Sequence, residues 1–380
     1  MDSIFVTQEH QLLRDQIARF ITEEVLPNGD EWEGQGQIPR GVLRKLGEMG
    51  VLGLRVPVKY GGSELDTLAA VVLAEALAQC TYGGFTATVA VHTDMASPHL
   101  INSGTEAQKQ RYLPGVVTGE IITAIAVTEP NSGSDVQGLR TRAVRDSGGW
   151  RINGRKVYIT NGVLADLILV AARTDLNSKP SRGISMFLVE RATPGFTVSR
   201  QLEKVGWHAS DTGELVFDDV LLPEDSLLGD ENKGFYAIME NFQNERLIAA
   251  AMHIGEAKKA IELTLEYVKT RSAFSAPLWS KQVIRQRLAL LSSQVEALRH
   301  LVYHTAWLDT QRIDCVKEVS MAKAWGSELL NQVMYNCQQF HGAFGLMHGT
   351  PIERMARDAR IHAIAGGATE VLLDEVARRL

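Results

Sequence analysis

The chain has 380 residues, 45% of them hydrophobic and 22% charged, which excludes a disordered polypeptide and allows two or three domains around a large shared core. A formal charge of -6 and a pI near 6.0 argue against general affinity for nucleic acid, although local basic patches can still hold the phosphates of a small ligand. Three cysteines, Cys80, Cys315 and Cys337, form no CxxC pair and no metal-ligand spacing, so buried thiols in a reducing compartment and no metal site are expected.

The opening MDSIFVTQEHQLLRD is acidic from its second residue and has no apolar run, which reads as neither a secretory signal nor a transit peptide. No segment approaches the roughly eighteen uninterrupted apolar residues of a membrane span, so no stable membrane insertion and a cytoplasmic location are expected. From Thr7 to about Gly119 apolar residues recur at helical spacing, as Leu12, Leu13, Ile17, Phe20, Ile21 and Val25 do in the first helix. Turns such as PVKYGGSELD and SGTEAQK punctuate this region. Between about Glu120 and Gly229, β-branched runs (IITAIAV, LADLILVAA, GISMFLVE, GELVFDDVLL) alternate with turn clusters, which predicts strands. After EDSLLGDENKG the helical period returns, with long segments near 234–270, 281–310 and 316–341.

This order predicts an α-helical domain over 1–119, a β domain over 120–232 and an α-helical domain over 233–380, an α+β fold rather than a doubly wound one. No GxGxxG follows a strand and no GxxxxGK[ST] occurs, so a dinucleotide would need another device. The glycines of GGW and INGRK are expected in hairpins. The loop AVTEPNSGSDVQG, Ala126 to Gly138, offers the hydroxyls of Thr128 and Ser134 and backbone freed by Gly133 to a flat heterocycle and its phosphates. Read from its residues alone, it is equally a turn closed by Asx and Ser hydrogen bonds. Near the end, IHAIAGGATE breaks the chain between two helical patterns and bends around something, yet carries no reactive side chain.

Seven stretches in order, among them GVLGLRVPVKYGGSELD, AVTEPNSGSD, WRINGRKVYITN, RSAFSAPLWSKQ and QQFHGAFGLMHGTPIERMARDAR, resemble the acyl-CoA dehydrogenases from end to end. The resemblance implies an N-terminal α-helical domain, a central β-barrel-like or β-sandwich domain and a C-terminal four-helix bundle, with FAD bound non-covalently between subunits of a homotetramer, a dimer of dimers. Implied FAD contacts are Ile125, Val127, Thr128, Gly133 and Ser134 on the loop, and Tyr158 and Thr160 in VYIT, where the family usually has Trp and Thr. From the C-terminal region come Arg271, Phe274, Gln282, Gln339, Gly342, Ala368 and Glu370. Arginine suits a pyrophosphate because its guanidinium forks onto two oxygens. Ser275 replaces a usual Gly, Ala343 a second Gly and Ala368 a Thr that normally touches FAD.

The implied reaction is α,β-dehydrogenation of an acyl-CoA thioester, in which a carboxylate takes the α-proton. Many members carry that Glu in the turn equivalent to AGGAT, where this chain has Gly366. Glycine has no side chain to accept a proton. A minority branch, including isovaleryl- and long-chain acyl-CoA dehydrogenases, places its Glu on the first long helix of the C-terminal domain, directly before an Arg. MENFQNERLIAA matches that pattern, so the resemblance implies Glu245 as base. Apolar Phe242, Leu247 and Ile248 nearby would raise its pKa. Gly366 is the implied backbone donor to the thioester carbonyl, and Ser134, Gln243, Arg246 and Gly367 are the implied substrate contacts. His208 is read as a surface loop residue, with a CoA phosphate as the alternative.

The leading expectation is therefore an FAD enzyme that oxidises a branched or long acyl-CoA to the trans-2-enoyl-CoA and passes electrons to an electron-transfer flavoprotein. Two alternatives remain: a dehydrogenase of carrier-protein-bound acyl or aminoacyl thioesters, and a catalytically silent FAD-binding relative.

Overall fold

The computed structural model describes residues 4–380; residues 1–3, at the head of the expected N-terminal domain, lie outside the described residues. Seven helices come first: α1 (Gln8–Phe20), α2 (Leu26–Gln35), α3 (Arg40–Glu48), α4 (Thr67–Leu77), α5 (Gly83–Ala90), α6 (Ser97–Ser103) and α7 (Glu106–Thr118). Thr7 and Thr105 start α1 and α7 with capping boxes, in which His10 and Gln108 return a side-chain acceptor to the cap's own N–H. Between α5 and α6 the chain forms a π-helical turn, Val91–Ala96. His92 locks this turn in place: Nε2 donates to the Val116 carbonyl at 3.0 Å, and Nδ1 accepts from the Thr123 N–H at 3.1 Å. Burial pushes His92 down to about 4, so the neutral tautomer that this pattern needs is the stable one.

The middle of the chain forms one eight-stranded sheet from β1 (Thr123–Ala126), β2 (Arg142–Asp146), β3 (Gly149–Thr160), β4 (Leu167–Arg173), β5 (Ile184–Glu190), β6 (Phe196–Gln201), β7 (Thr212–Pro223) and β8 (Leu227–Leu228). Its order is β6-β7-β3-β2-β4-β5-β8, and it divides at β4, which pairs in parallel with β1 along Leu167 to Val170 and with β2 at Arg173. Apolar side chains cover both faces. Trp150, Ile168, Phe187 and Phe217 share one cluster, while Leu167, Leu169 and Leu188 join Leu100, Leu113 and Ile238 from the helices in another. That second layer seats the sheet on the helical regions.

Three long helices follow, α8 (Gly234–Thr270), α9 (Gln282–Thr310) and α10 (Val316–His341), with a short hairpin of β9 (Ser272–Ala273) and β10 (Ala276–Pro277) between the first two. Helices α11 (Pro351–Ala359) and α12 (Thr369–Ala377) end the chain, and α12 closes on α10 to complete the bundle. Helix α4 is apolar but for Thr67 and Glu75 and is buried at all of its positions, lying between α1, α8 and α9. Within it Glu75 accepts from Tyr303 Oη at 2.6 Å and Lys258 Nζ at 3.0 Å and faces Arg299. Burial alone would raise this carboxyl, but Lys258, Arg299 and Tyr303 outweigh it and hold it below the ordinary range.

The α+β organisation read from the sequence is therefore present. The three cysteines are buried, and burial pushes each thiol up to about 11. One expectation needs correction. Gly148 and Gly149 do occupy the β2–β3 hairpin, but Gly154 of INGRK lies inside β3 at a bulge opposite β7, where a Cβ would stand 2.4 Å from Thr141 Oγ1. The glycine there permits a close approach rather than a turn.

Candidate active site

Glu245 lies in the first half of α8 with 7% of its surface exposed. Asn241, one turn earlier, donates from Nδ2 to Glu245 Oε1 at 2.9 Å and to the Met95 carbonyl of the π turn at 3.0 Å. Burial pushes the Glu245 carboxyl up to about 8; the Asn241 hydrogen bond and the Arg246 charge pull it down, and Asp94 pushes it further up. A solvated helix carboxylate is thereby excluded. Leu247 and Ile248 belong to the helical core, and Phe242 packs toward the sheet under the Arg246 guanidinium, 5.5 Å from its ring.

Sequence reasoning missed the polar partners. Asp94 is buried, which raises its carboxyl; Thr93 Oγ1 donates to it at 2.6 Å, and Arg55 Nη1 lies at 3.8 Å. Asn244 donates to the Asp94 carbonyl at 2.8 Å and accepts from Arg55. The Asn241–Glu245 spacing on one helix face was the available signal, but the π turn that completes the set lies about 150 residues earlier in the chain.

The bend opens after a 3-10 turn, Arg360–Ala363, and passes through Gly366 at φ +63° and Gly367 at φ +98°. Both values favour glycine. A Cβ on Gly366 would meet no atom within 4 Å, whereas one on Gly367 would lie 3.5 Å from Arg246 Nε. The bend thus lies beside the side chain of Arg246, the residue that follows Glu245. From α10, Lys323 Nζ donates to the Gly367 carbonyl, and Thr369 Oγ1 ties the start of α12 to Glu328 at 2.9 Å. Gln243 is half-buried, and its Oε1 has no hydrogen-bond partner among the described residues.

In the loop after β1, some residues close an internal turn and others are left exposed. Glu129 is consumed internally: it accepts from the Arg140 N–H at 2.6 Å, the Thr141 N–H at 2.9 Å and Lys156 Nζ at 2.8 Å, while Ser132 closes a turn onto Asp135. Gly133 and Ser134 are exposed, and a Cβ on Gly133 would meet nothing within 4 Å. The Val157 N–H donates to the Thr128 carbonyl at 3.0 Å, which sets the loop beside Tyr158 and Thr160. Tyr158 occupies a β-bulge at φ +60° and is 69% exposed. Ile125 and Val127 are half-buried at the end of β1.

A second group gathers where α8 and α10 end. The Arg271 N–H donates to the Tyr267 carbonyl at 2.8 Å, and Tyr267 Oη donates to the His341 carbonyl at 3.2 Å, next to Gly342 and two residues from Gln339. Phe274, 92% exposed at φ +53°, tips the β9–β10 hairpin, and Gln282 begins α9. Ala368 caps α12, and Glu370 is exposed in its first turn. His208 is not a free loop side chain: Nε2 donates to the Lys204 carbonyl at 2.8 Å, and Nδ1 lies 3.2 Å from Arg357 Nη1.

Three acyl-CoA dehydrogenase family models match consecutive parts of the chain: the N-terminal domain at 7–120, the middle domain at 124–220 and the C-terminal domain at 232–380. The chain belongs to the acyl-CoA dehydrogenase family. It is 41% identical to mouse mitochondrial long-chain specific acyl-CoA dehydrogenase over 98% of this chain and 87% of that protein. It is 34% identical to orangutan (Pongo abelii) mitochondrial isovaleryl-CoA dehydrogenase, over 96% of this chain and 87% of the relative. The solved acyl-CoA dehydrogenase of Geobacillus kaustophilus matches with a TM-score of 0.97 at 41% identity, covering 100% of this chain and 99% of that one.

The cofactor of this FAD-dependent oxidoreductase fits the residues present, since an exposed aromatic ring at Tyr158 adjoins free hydroxyls and an open glycine backbone on the neighbouring loop. A PigA complex with FAD, 26% identical with a TM-score of 0.95, has the same fold. Among the described residues no helix is long and apolar enough to cross a membrane.

Proposed function

We propose that the chain carries out acyl-CoA dehydrogenation with Glu245 as the base that takes the α-proton, on a long or branched acyl group. The buried carboxyl on α8, directly before an arginine whose side chain lies beside a glycine bend that has no carboxylate of its own, carries this reading. With its pKa near 8, Glu245 has a proton affinity suited to abstraction near neutral pH and remains a weak enough acid to keep that proton afterwards. Bound FAD supplies the acceptor for the β-hydride. The Gly366 N–H donates to the thioester carbonyl, where negative charge develops as the α-proton leaves. Arg246, Gln243, Gly367 and Ser134 hold the rest of the thioester. Open space at Gly366 and the long-chain and isovaleryl relatives support a bulky acyl group.

Thr128, Gly133, Ser134, Tyr158 and Thr160, with Ile125 and Val127 beneath, hold the flavin end of FAD. Arg271, Phe274, Gln282, Gln339, Gly342, Ala368 and Glu370 hold the dinucleotide of a neighbouring subunit in a homotetramer. We assign the domains to 1–119, 120–232 and 233–380, the electron acceptor to an electron-transfer flavoprotein and the location to the cytoplasm, although the two named relatives are mitochondrial. An anaerobic screen tests the substrate: long or methyl-branched acyl-CoAs should bleach the flavin at least about tenfold faster than short straight ones. Bleaching by carrier-protein thioesters alone would overturn the assignment to free CoA esters, and bleaching by none would favour a silent family member.

A further inference from the structure

Asn241 and Glu245 are both buried on one face of α8, opposite the π turn. The Asn241 Nδ2 atom lies 2.9 Å from Glu245 Oε1, 3.0 Å from the Met95 carbonyl and 3.3 Å from the Asp94 carbonyl. Two N–H bonds face three oxygen atoms. The two short contacts take one hydrogen each, and the Asp94 carbonyl shares. Turned over, the amide would aim its own oxygen at two carbonyl oxygens, so only one orientation is stable. The sequence explains why an oxygen is available there. Pro98, four positions after Asp94, has no N–H and so cannot give the Asp94 carbonyl an α-helical hydrogen bond. That carbonyl takes side-chain donors from α8 instead, Asn244 at 2.8 Å and Asn241.

We propose that Asn241 is a positioning residue for the base: the π turn fixes its amide, and the amide fixes one oxygen of Glu245 so that the other is free to face the substrate. This rests on the reading of Glu245 as the base. The groups facing Glu245 are Asn241 and Arg246 from α8 and Asp94 from the π turn. Asn241 and Arg246 favour the carboxylate, whereas burial and Asp94 favour the neutral acid. Replacing Asn241 with an apolar residue removes a donor to the ionised form and lets the carboxyl rotate.

The test is the pH profile of anaerobic flavin reduction in the FAD-loaded enzyme, using the best acyl-CoA from the screen above. In Asn241→Leu the rise of rate with pH should move alkaline by about one pH unit, with reduction slowed about tenfold at neutral pH and largely recovered above the new pKa. Asn241→Ser, which keeps a shorter donor on the same face, should recover part of that displacement. If the leucine variant does not fold, Asn241→Ala gives the same reading. A profile superimposable on the parent's, or a uniform loss at every pH, would overturn the proposal. Glu245→Gln separates the two claims: if it still bleaches, both fall; if it is inactive while the Asn241 profile stays in place, only the positioning role falls.

Discussion

A carboxyl that keeps its proton to about pH 8 leaves a trace in stability as well as in catalysis. Between the ordinary value of 4.5 and about 8, the folded chain holds a proton at Glu245 that the unfolded chain has released. The stability tied to that proton is complete below pH 4.5 and is lost as the pH rises through 8. Glu245→Gln, neutral throughout, should therefore nearly match the parent near pH 5 and exceed it near pH 9 by roughly 1 to 3 kcal/mol, since each tenfold change in proton affinity is worth about 1.4 kcal/mol before the surroundings relax. Thermal midpoints at the two pH values decide this, and parallel curves would contradict it. Glu245 and the bare Gly366 were legible in the sequence because both lie in short motifs. Asn241, Asp94 and the true partners of His208 were not, because each contact joins segments more than a hundred residues apart or depends on a rotamer.

Among the elements, the β9–β10 hairpin holds two adjacent non-glycine residues in strained backbone. Phe274 at φ +53° and Ser275 at φ +64° both occupy left-handed backbone, the combination that a two-residue primed turn requires and that Asn-Gly supplies most easily. The serine standing where the family usually has glycine carries this strain, and the turn holds an aromatic ring 92% exposed. Ser275→Gly should stabilise the folded chain by about 0.5 to 1 kcal/mol, read as a higher denaturation midpoint; a lower midpoint would show that the Ser275 side chain has a binding partner worth more than the relieved strain. Helices α8, α9 and α10 were readable from their periodicity to within a residue or two. The π turn and the bulge at Gly154 were not, since each is one extra residue defined by its partner strand or by the following turn.

At the scale of the whole molecule, helices, sheet and helices follow one another along the chain, and the candidate site draws on both helical regions. Helix α8 carries buried Glu245, the π turn between α5 and α6 supplies its polar neighbours, and the glycine bend before α12 lies beside Arg246. The sequence made the order of these regions plain through its changing periodicity. It did not show that buried Glu75 of α4 ties the N-terminal helices to α8 and α9 through Lys258, Arg299 and Tyr303, because ionic clusters of that kind leave no periodic signal. The central claim is that a carboxyl on α8, rather than one in the bend, removes the proton. Anaerobic addition of the preferred acyl-CoA to FAD-loaded Glu245→Gln tests it most directly: the protein should stay yellow, with bleaching slowed at least about a thousandfold, and bleaching at the parent's rate would contradict it.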